Sequence, residues 1–256
     1  MMFEISDRDH GEFLVEELNL EAQLAAVRSL LRRHREADDE LDREISEIAE
    51  AAKKASGEYG MHLENLWVDQ VHSTVFQGAA HSMSALGMLA PLTESLFVSM
   101  FAAIDREKLF ASADIKGPRA SLSATQLWDP HWVALLNRRT GKISAKRELV
   151  PGIGQLAEVT GLAAHLPAGW EQRIEALFRY RNKMFHHGFE WPVEERKAFS
   201  TAIKKWPKGW FLKSESNREP WIFYLSDEFI RDCLTMIEAV IEGAGAYLVA
   251  RLHKKD

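Results

Sequence analysis

The sequence predicts an all-α fold, and three observations carry that prediction. Long stretches repeat apolar residues at helical spacing. Hydrophobic residues make up 46% of the chain and charged residues 27%, the balance of a globular protein with a substantial core. Strand-like composition is confined to one short region near the C-terminus.

The first helix signal lies in residues 12–35, where Leu14, Leu18, Leu24, Val27, Leu30 and Leu31 are apolar positions at helical spacing. Residues 38–56 are highly charged. Their narrow stripe of Leu41, Ile45, Ile48 and Ala52 suits a two-helix seam. Residues 1–60 are therefore expected as an N-terminal helical hairpin projecting from the body, in preference to a separate coiled-coil arm. Residues 61–256 are expected as the main helical bundle.

Residues 61–108 are the most apolar part of the chain. Gly87 and Pro91 interrupt them and predict two helices or one kinked helix. Few charges occur between Ala79 and Ile104, so this is the expected central buried helix. Glu94 is the exception, on one face with Ala90, Phe97, Val98 and Phe101.

Residues 111–165 read as an insert. A small, polar loop at 111–125 precedes short helical pieces broken by Pro130, Gly141, Pro151 and Gly154. Ala168 to His187 is a strong helix with the stripe Ile174, Leu177, Phe178, Arg181, Met184, Phe185. Gly188 is its expected C-cap. Pro192 opens a further helix to about Lys205. The runs WFLK and WIFYL flank a polar loop of about seven residues and predict a small β-hairpin at about 209–225. A final helix is expected from Asp227 to Leu252.

Composition narrows the function classes. No run of eighteen or more apolar residues occurs, so no membrane span is expected. The acidic N-terminus lacks a basic-then-apolar signal pattern. The single cysteine, Cys233, excludes an intrachain disulfide and a cysteine-based zinc site. A cytoplasmic protein is expected. No Gly-rich phosphate loop occurs, and no H-E-x-x-H or H-x-x-x-D cluster stands out among the ten scattered histidines. Neither metal nor cofactor is expected.

The net charge of −6 argues against a broadly basic surface. Yet residues 171–213 hold ten Lys/Arg and five Glu, a local net of +5 that leaves −11 on the rest. That segment contains Arg181-Asn182-Lys183-Met184-Phe185-His186. Arg181 occupies the apolar stripe seven residues after Ile174. A guanidinium stays charged, so a buried one must be paired. It can pair with the inward carboxylate of Glu94, line an anion-binding cleft, or sit at a subunit interface. His186 lies five residues on, about 140° around an ideal helix. A helix that tightens near Phe185 and turns at Gly188 would aim both side chains into one groove. A histidine at a helix end is otherwise a cap favoured by the helix dipole.

Arg181-Asn182-x-x-x-His186 is similar to the R-x(4–6)-H motif of HEPN ribonucleases, in its R-N-x-x-x-H form. The order of central helix, motif helix and last helix resembles that family too. The resemblance implies a HEPN-type helical bundle and a metal-independent RNA endonuclease of the toxin or phage-defence kind. It implies a homodimer with two motifs meeting at the two-fold axis. The ribose 2′-OH would attack the adjacent phosphate, leaving a 2′,3′-cyclic phosphate and a 5′-OH. His186 would move the proton, Arg181 would stabilise the phosphate charge, and Asn182 would orient one of them or contact the phosphate. Tyr180, Lys183, His187 and Glu94 are expected in supporting positions. The implied partners are a single-stranded or looped RNA and an antitoxin or regulatory protein.

Nearby aromatics (Tyr180, Phe189, Trp191, Trp206, Trp210, Trp221) interleave with Lys204, Lys205, Lys208 and Lys213. They suit base stacking or, more ordinarily, packing of the hairpin. Two further readings stay open. One is a catalytically inactive HEPN-like module that binds nucleotide, RNA or protein. The other is an unrelated helical scaffold that assembles through the charged 38–56 segment.

Overall fold

The computed structural model describes residues 5–253. The first four and last three residues, the outer ends of the two expected segments, lie outside the described residues. Helix dominates, with α1 (Asp7–Phe13), α2 (Leu20–Lys54), α3 (Gly57–Arg106), α4 (Ala124–Leu127), α5 (Leu149–Thr160), α6 (Trp170–His187), α7 (Val193–Ala202) and α8 (Asp227–Leu252). Two small antiparallel hairpins complete it: β1 (Trp132–Leu136) with β2 (Ile143–Arg147), and β3 (Phe211–Ser216) with β4 (Glu219–Leu225). The all-α expectation holds at this level. The chain divides into two compact units. One is Met1–Leu20, Ala90–Glu175 and Asp232–Asp256; the other is Glu21–Leu89 and Ala176–Arg231.

The N-terminal region differs from its expected form. Residues 20–54, read as parts of two helices, are the single helix α2. No glycine or proline separates Arg35 from Asp38, so nothing breaks the backbone hydrogen bonding there. The turn falls instead at Ala55–Ser56, and Gly57 takes the left-handed conformation at φ +68°. The partner of α2 is the first part of α3, against which His34 stacks through His81. Leu24, Val27 and Leu31 are buried, whereas the later stripe of Leu41, Ile45, Ile48 and Ala52 is half-buried.

Pro91 does not break α3, which runs unbroken through Gly57–Arg106. Pro91 removes one N–H, and the carbonyl it deprives is that of Gly87. Both residues lie on the exposed side of the helix, where water can satisfy that carbonyl. The opposite side buries Leu86, Leu89, Leu96, Phe97, Met100 and Phe101 at 0–1% exposure. Both α3 and α8 are long and apolar enough to cross a membrane, unlike the expectation from uninterrupted apolar runs. Their most apolar windows are 56% and 50% buried inside the fold.

In the unit containing residues 90–175, the insert is more ordered than expected. Hairpin β1–β2 differs from the helical pieces expected here; its strand β2 is exposed along its whole length and buries neither face. Its turn signal was present: Asn137 Oδ1 accepts from the N–H groups of Arg139 and Thr140, and Gly141 follows at φ +67°. Arg119, fully buried, organises this region. Its guanidinium donates to the carbonyls of Leu127 (2.8 Å), Asp129 (2.9 Å) and Trp132 (2.7 Å), with longer bonds to Gln126, Gly152 and Gln155. Burial lowers its pKa to about 10, against the pull of Asp129, so it stays charged at neutral pH. The Gln155 amide extends the hairpin edge, exchanging two 2.9 Å bonds with the backbone of Ala134. Glycines bring α1 against α8. A Cβ on Gly245 would stand 1.6 Å from Asp7 O, so only glycine fits there.

In the other unit, β3 and β4 join through Asn217 and Arg218, both at positive φ. The turn is therefore two residues rather than a seven-residue loop. Aromatic rings of Tyr180, Trp191, Phe199, Phe211 and Phe223 pack together beneath this hairpin. The hydroxyl of Ser82 on α3 accepts from Leu225 N at 2.7 Å and ties the hairpin down.

Arg119→Met should lower stability by at least about 3 kcal/mol, because several buried carbonyls lose their donor at once. Urea unfolding checks this, and a change below about 1 kcal/mol would contradict it.

Candidate functional site

The motif lies on α6, whose last turn carries His186 and His187. Gly188 ends the helix at φ +70°, its N–H donating to Met184 O at 2.9 Å. The helix stays α-helical through His187, so it does not tighten at Phe185. Arg181 and His186 thus remain about 140° apart around one helix. The chain alone does not aim them into one groove.

The buried face of α6 is also rotated from the expected stripe. Ile174, Leu177, Tyr180 and Met184 form it, at 0–1% exposure. Tyr180 displaces Phe185 because its hydroxyl finds an acceptor at depth, Phe223 O at 2.8 Å. Phe185 is left 60% exposed. Arg181 consequently sits half-buried at the edge of the face, its guanidinium carbon 5.3 Å from the centre of the Phe178 ring. Asn182, His186 and His187 are exposed.

Among the supporting residues, Lys183 forms an ion pair with Glu195 of α7. Hydrogen bonding to Lys183 and its charge hold the Glu195 carboxyl below its ordinary pKa. Tyr180 is a core residue, not a surface one, and burial pushes its pKa up. Most of the aromatics considered for stacking are core as well: Trp191, Trp206 and Trp210 are 3–6% exposed. The flanking lysines are better placed. A cavity of about 340 Å³ is lined by Lys204, Lys208 and Lys213 beside Trp206 and Phe211.

In the other unit, Glu94, one of the candidate partners considered for Arg181, binds His131. Glu94 Oε1 stands 2.8 Å from His131 Nε2, and Asp129 Oδ1 stands 2.6 Å from His131 Nδ1. Two carboxylates need two N–H donors, which is the imidazolium form. Burial opposes that charge, but the bonds to Glu94 and Asp129 outweigh it and raise the His131 pKa.

The histidines are less scattered than the sequence suggests. Among the described residues, His34, His81 and Asp227 form a group able to hold a metal ion. The readable signal was His34-Arg-Glu-Ala-Asp38, an H-x-x-x-D pair one helical turn apart. In the structure His34 Nε2 lies 3.1 Å from Asp38 Oδ2. His81 and Asp227 are remote in sequence and carried no signal.

Comparison with family models, curated proteins and solved structures finds no match.

A raised histidine pKa contributes stability below the unfolded value of about 6.5 and loses it as pH rises through the folded value. The stability difference between wild type and His131→Gln should therefore shrink as pH rises above that range. Urea unfolding from acid to alkaline pH reads it; a difference that grows with pH would contradict the assignment.

Proposed function

We propose that this chain is a HEPN-type RNA endonuclease acting as a homodimer in the cytoplasm, in a toxin or phage-defence role. The observation that carries the reading is the end of α6. Asn182 and His186 lie exposed beside a half-buried Arg181 and a 60% exposed Phe185. Arg181 and Phe185 are four residues apart on one face; Asn182 and His186 are four apart on the next. An apolar ring left uncovered beside a cation suits a surface that meets its own copy.

A second copy also resolves the angular mismatch. Within one helix Arg181 and His186 diverge, but across a two-fold axis the Arg181 of one protomer can meet the His186 of the other. His186 then exchanges the proton of the 2′-OH and of the leaving 5′-oxygen. Arg181 stabilises the charge on the pentacoordinate phosphate, and Asn182 contacts or orients it. The lysine-lined cavity around Trp206 and Phe211 offers positive charge to the backbone of a single-stranded or looped RNA. Among the described residues Cys233 is a buried free thiol, as suits a reducing compartment.

A second reading is favoured by the same divergence: a catalytically inactive HEPN-like module that binds nucleotide, RNA or a protein partner through this face.

The two readings separate in an RNA cleavage assay with chelator and no divalent metal. The catalytic reading expects 2′,3′-cyclic phosphate ends, and Arg181→Ala or His186→Ala losing about 10²–10⁴-fold in rate. Equal cleavage by all three proteins would assign the activity to a contaminant. RNA binding without cleavage would leave the binding module.

A further inference from the structure

The unit formed by Glu21–Leu89 and Ala176–Arg231 holds a polar cluster that the α6 motif does not use. His34 comes from α2, His81 from α3, and Asp227 is the first residue of α8. The imidazole rings stack 3.5 Å apart and 14° from parallel. One ligand atom from each of the three side chains lies within 4.8 Å of the others.

Two features separate this cluster from an ordinary core hydrogen-bond network. The first is His81. Its side chain is 4% exposed, Asp227 Oδ1 lies 3.4 Å from Nε2, and Nε2 has no hydrogen-bond partner. A buried ring nitrogen that lacks a hydrogen bond and faces a carboxylate is suited to ligation. The second feature is the surplus of carboxylate. Asp38 and Asp42 line the same cavity as His34 and Asp227. Arg35 approaches only from the exposed side, 3.7 Å from Asp227 Oδ2, and leaves Oδ1 facing His81.

We propose that His34, His81 and Asp227 bind a divalent first-row transition ion of the zinc class, with Asp38 orienting His34. Two imidazoles and one carboxylate suit zinc-like ions; magnesium and calcium prefer all-oxygen sites. Tetrahedral bonds of about 2.0–2.2 Å place ligand atoms about 3.4 Å apart, so binding requires the two stacked rings to turn until their nitrogens converge on the ion. His34 and Asp227 also line a cavity of about 330 Å³ together with Thr74, Tyr224 and Ser226. Three protein ligands with one open position leave room for a water or an oxygen-bearing ligand. The ion also ties α2 and α3 to the start of α8, so its binding stabilises the fold. This site is separate from the proposed RNA cleavage, which uses no metal.

The test uses the full chain without an affinity tag, stripped with chelator and titrated with Co(II), then Zn(II), at neutral pH. Visible absorption and calorimetry should show one equivalent bound, zinc displacing cobalt, and a raised melting temperature. His34→Gln and Asp227→Asn, both at part-exposed side chains, should weaken binding by more than the ~10–100-fold that losing an orienting partner costs. Far-UV circular dichroism verifies that both variants fold. His62→Ala, at an exposed position of α3, should bind as wild type does. The proposal is overturned by absence of stoichiometric binding, by unchanged affinity in both ligand variants, or by preference for Mg(II). The readout is metal binding alone, so it is independent of any RNA cleavage result.

Discussion

Arg119 sets the constraint on which the insert region depends. A guanidinium cannot shed its charge at neutral pH, and burying it is tolerable only if its donors are satisfied. Here the acceptors are mainly backbone carbonyls, from Gln126, Leu127, Asp129, Trp132 and Gly152. Those carbonyls belong to α4, the turn after it, the start of β1 and the first turn of α5. None of these pieces is long enough to be stable alone. One cation that requires all of them at once gives the region a defined geometry.

The same logic of satisfied depth decides the rotation of α6. Tyr180 and Phe185 competed for the core face. Tyr180 won because the hairpin offers its hydroxyl a carbonyl acceptor, and its ring joins Trp191, Phe199, Phe211 and Phe223. The cost is an exposed Phe185 and an Arg181 moved from the centre of the stripe to its edge. The proposed function rests on that displaced edge. It holds an apolar ring, a half-buried cation and a histidine at the last turn of a helix, facing outward.

Sequence periodicity made the large helices legible. α8 runs between the residues its apolar spacing marks, and α6 ends at the glycine that favours ending it. Breaker residues were less informative. Pro91 did not stop α3, because its missing hydrogen bond lies on a solvent-facing side and the opposite side is deeply buried. The absence of any breaker between Arg35 and Asp38 mattered more than the change in composition there. The β1–β2 hairpin left a weak trace, because β2 is short and exposed on both faces and Ile143 and Ala145 are its only apolar residues.

By itself the sequence determined the helical class, the β3–β4 hairpin, the basic segment and the placing of Arg181, Asn182 and His186 near the end of one helix. Each is local: a period, a turn residue or a charge count within a few tens of residues. Only the tertiary structure decided which face of α6 is buried, that Tyr180 belongs to the core, and that Glu94 holds His131. It alone brought His34, His81 and Asp227 together from three helices. Those outcomes depend on which buried polar atoms find partners, and partners distant in the chain leave no periodic trace in the sequence.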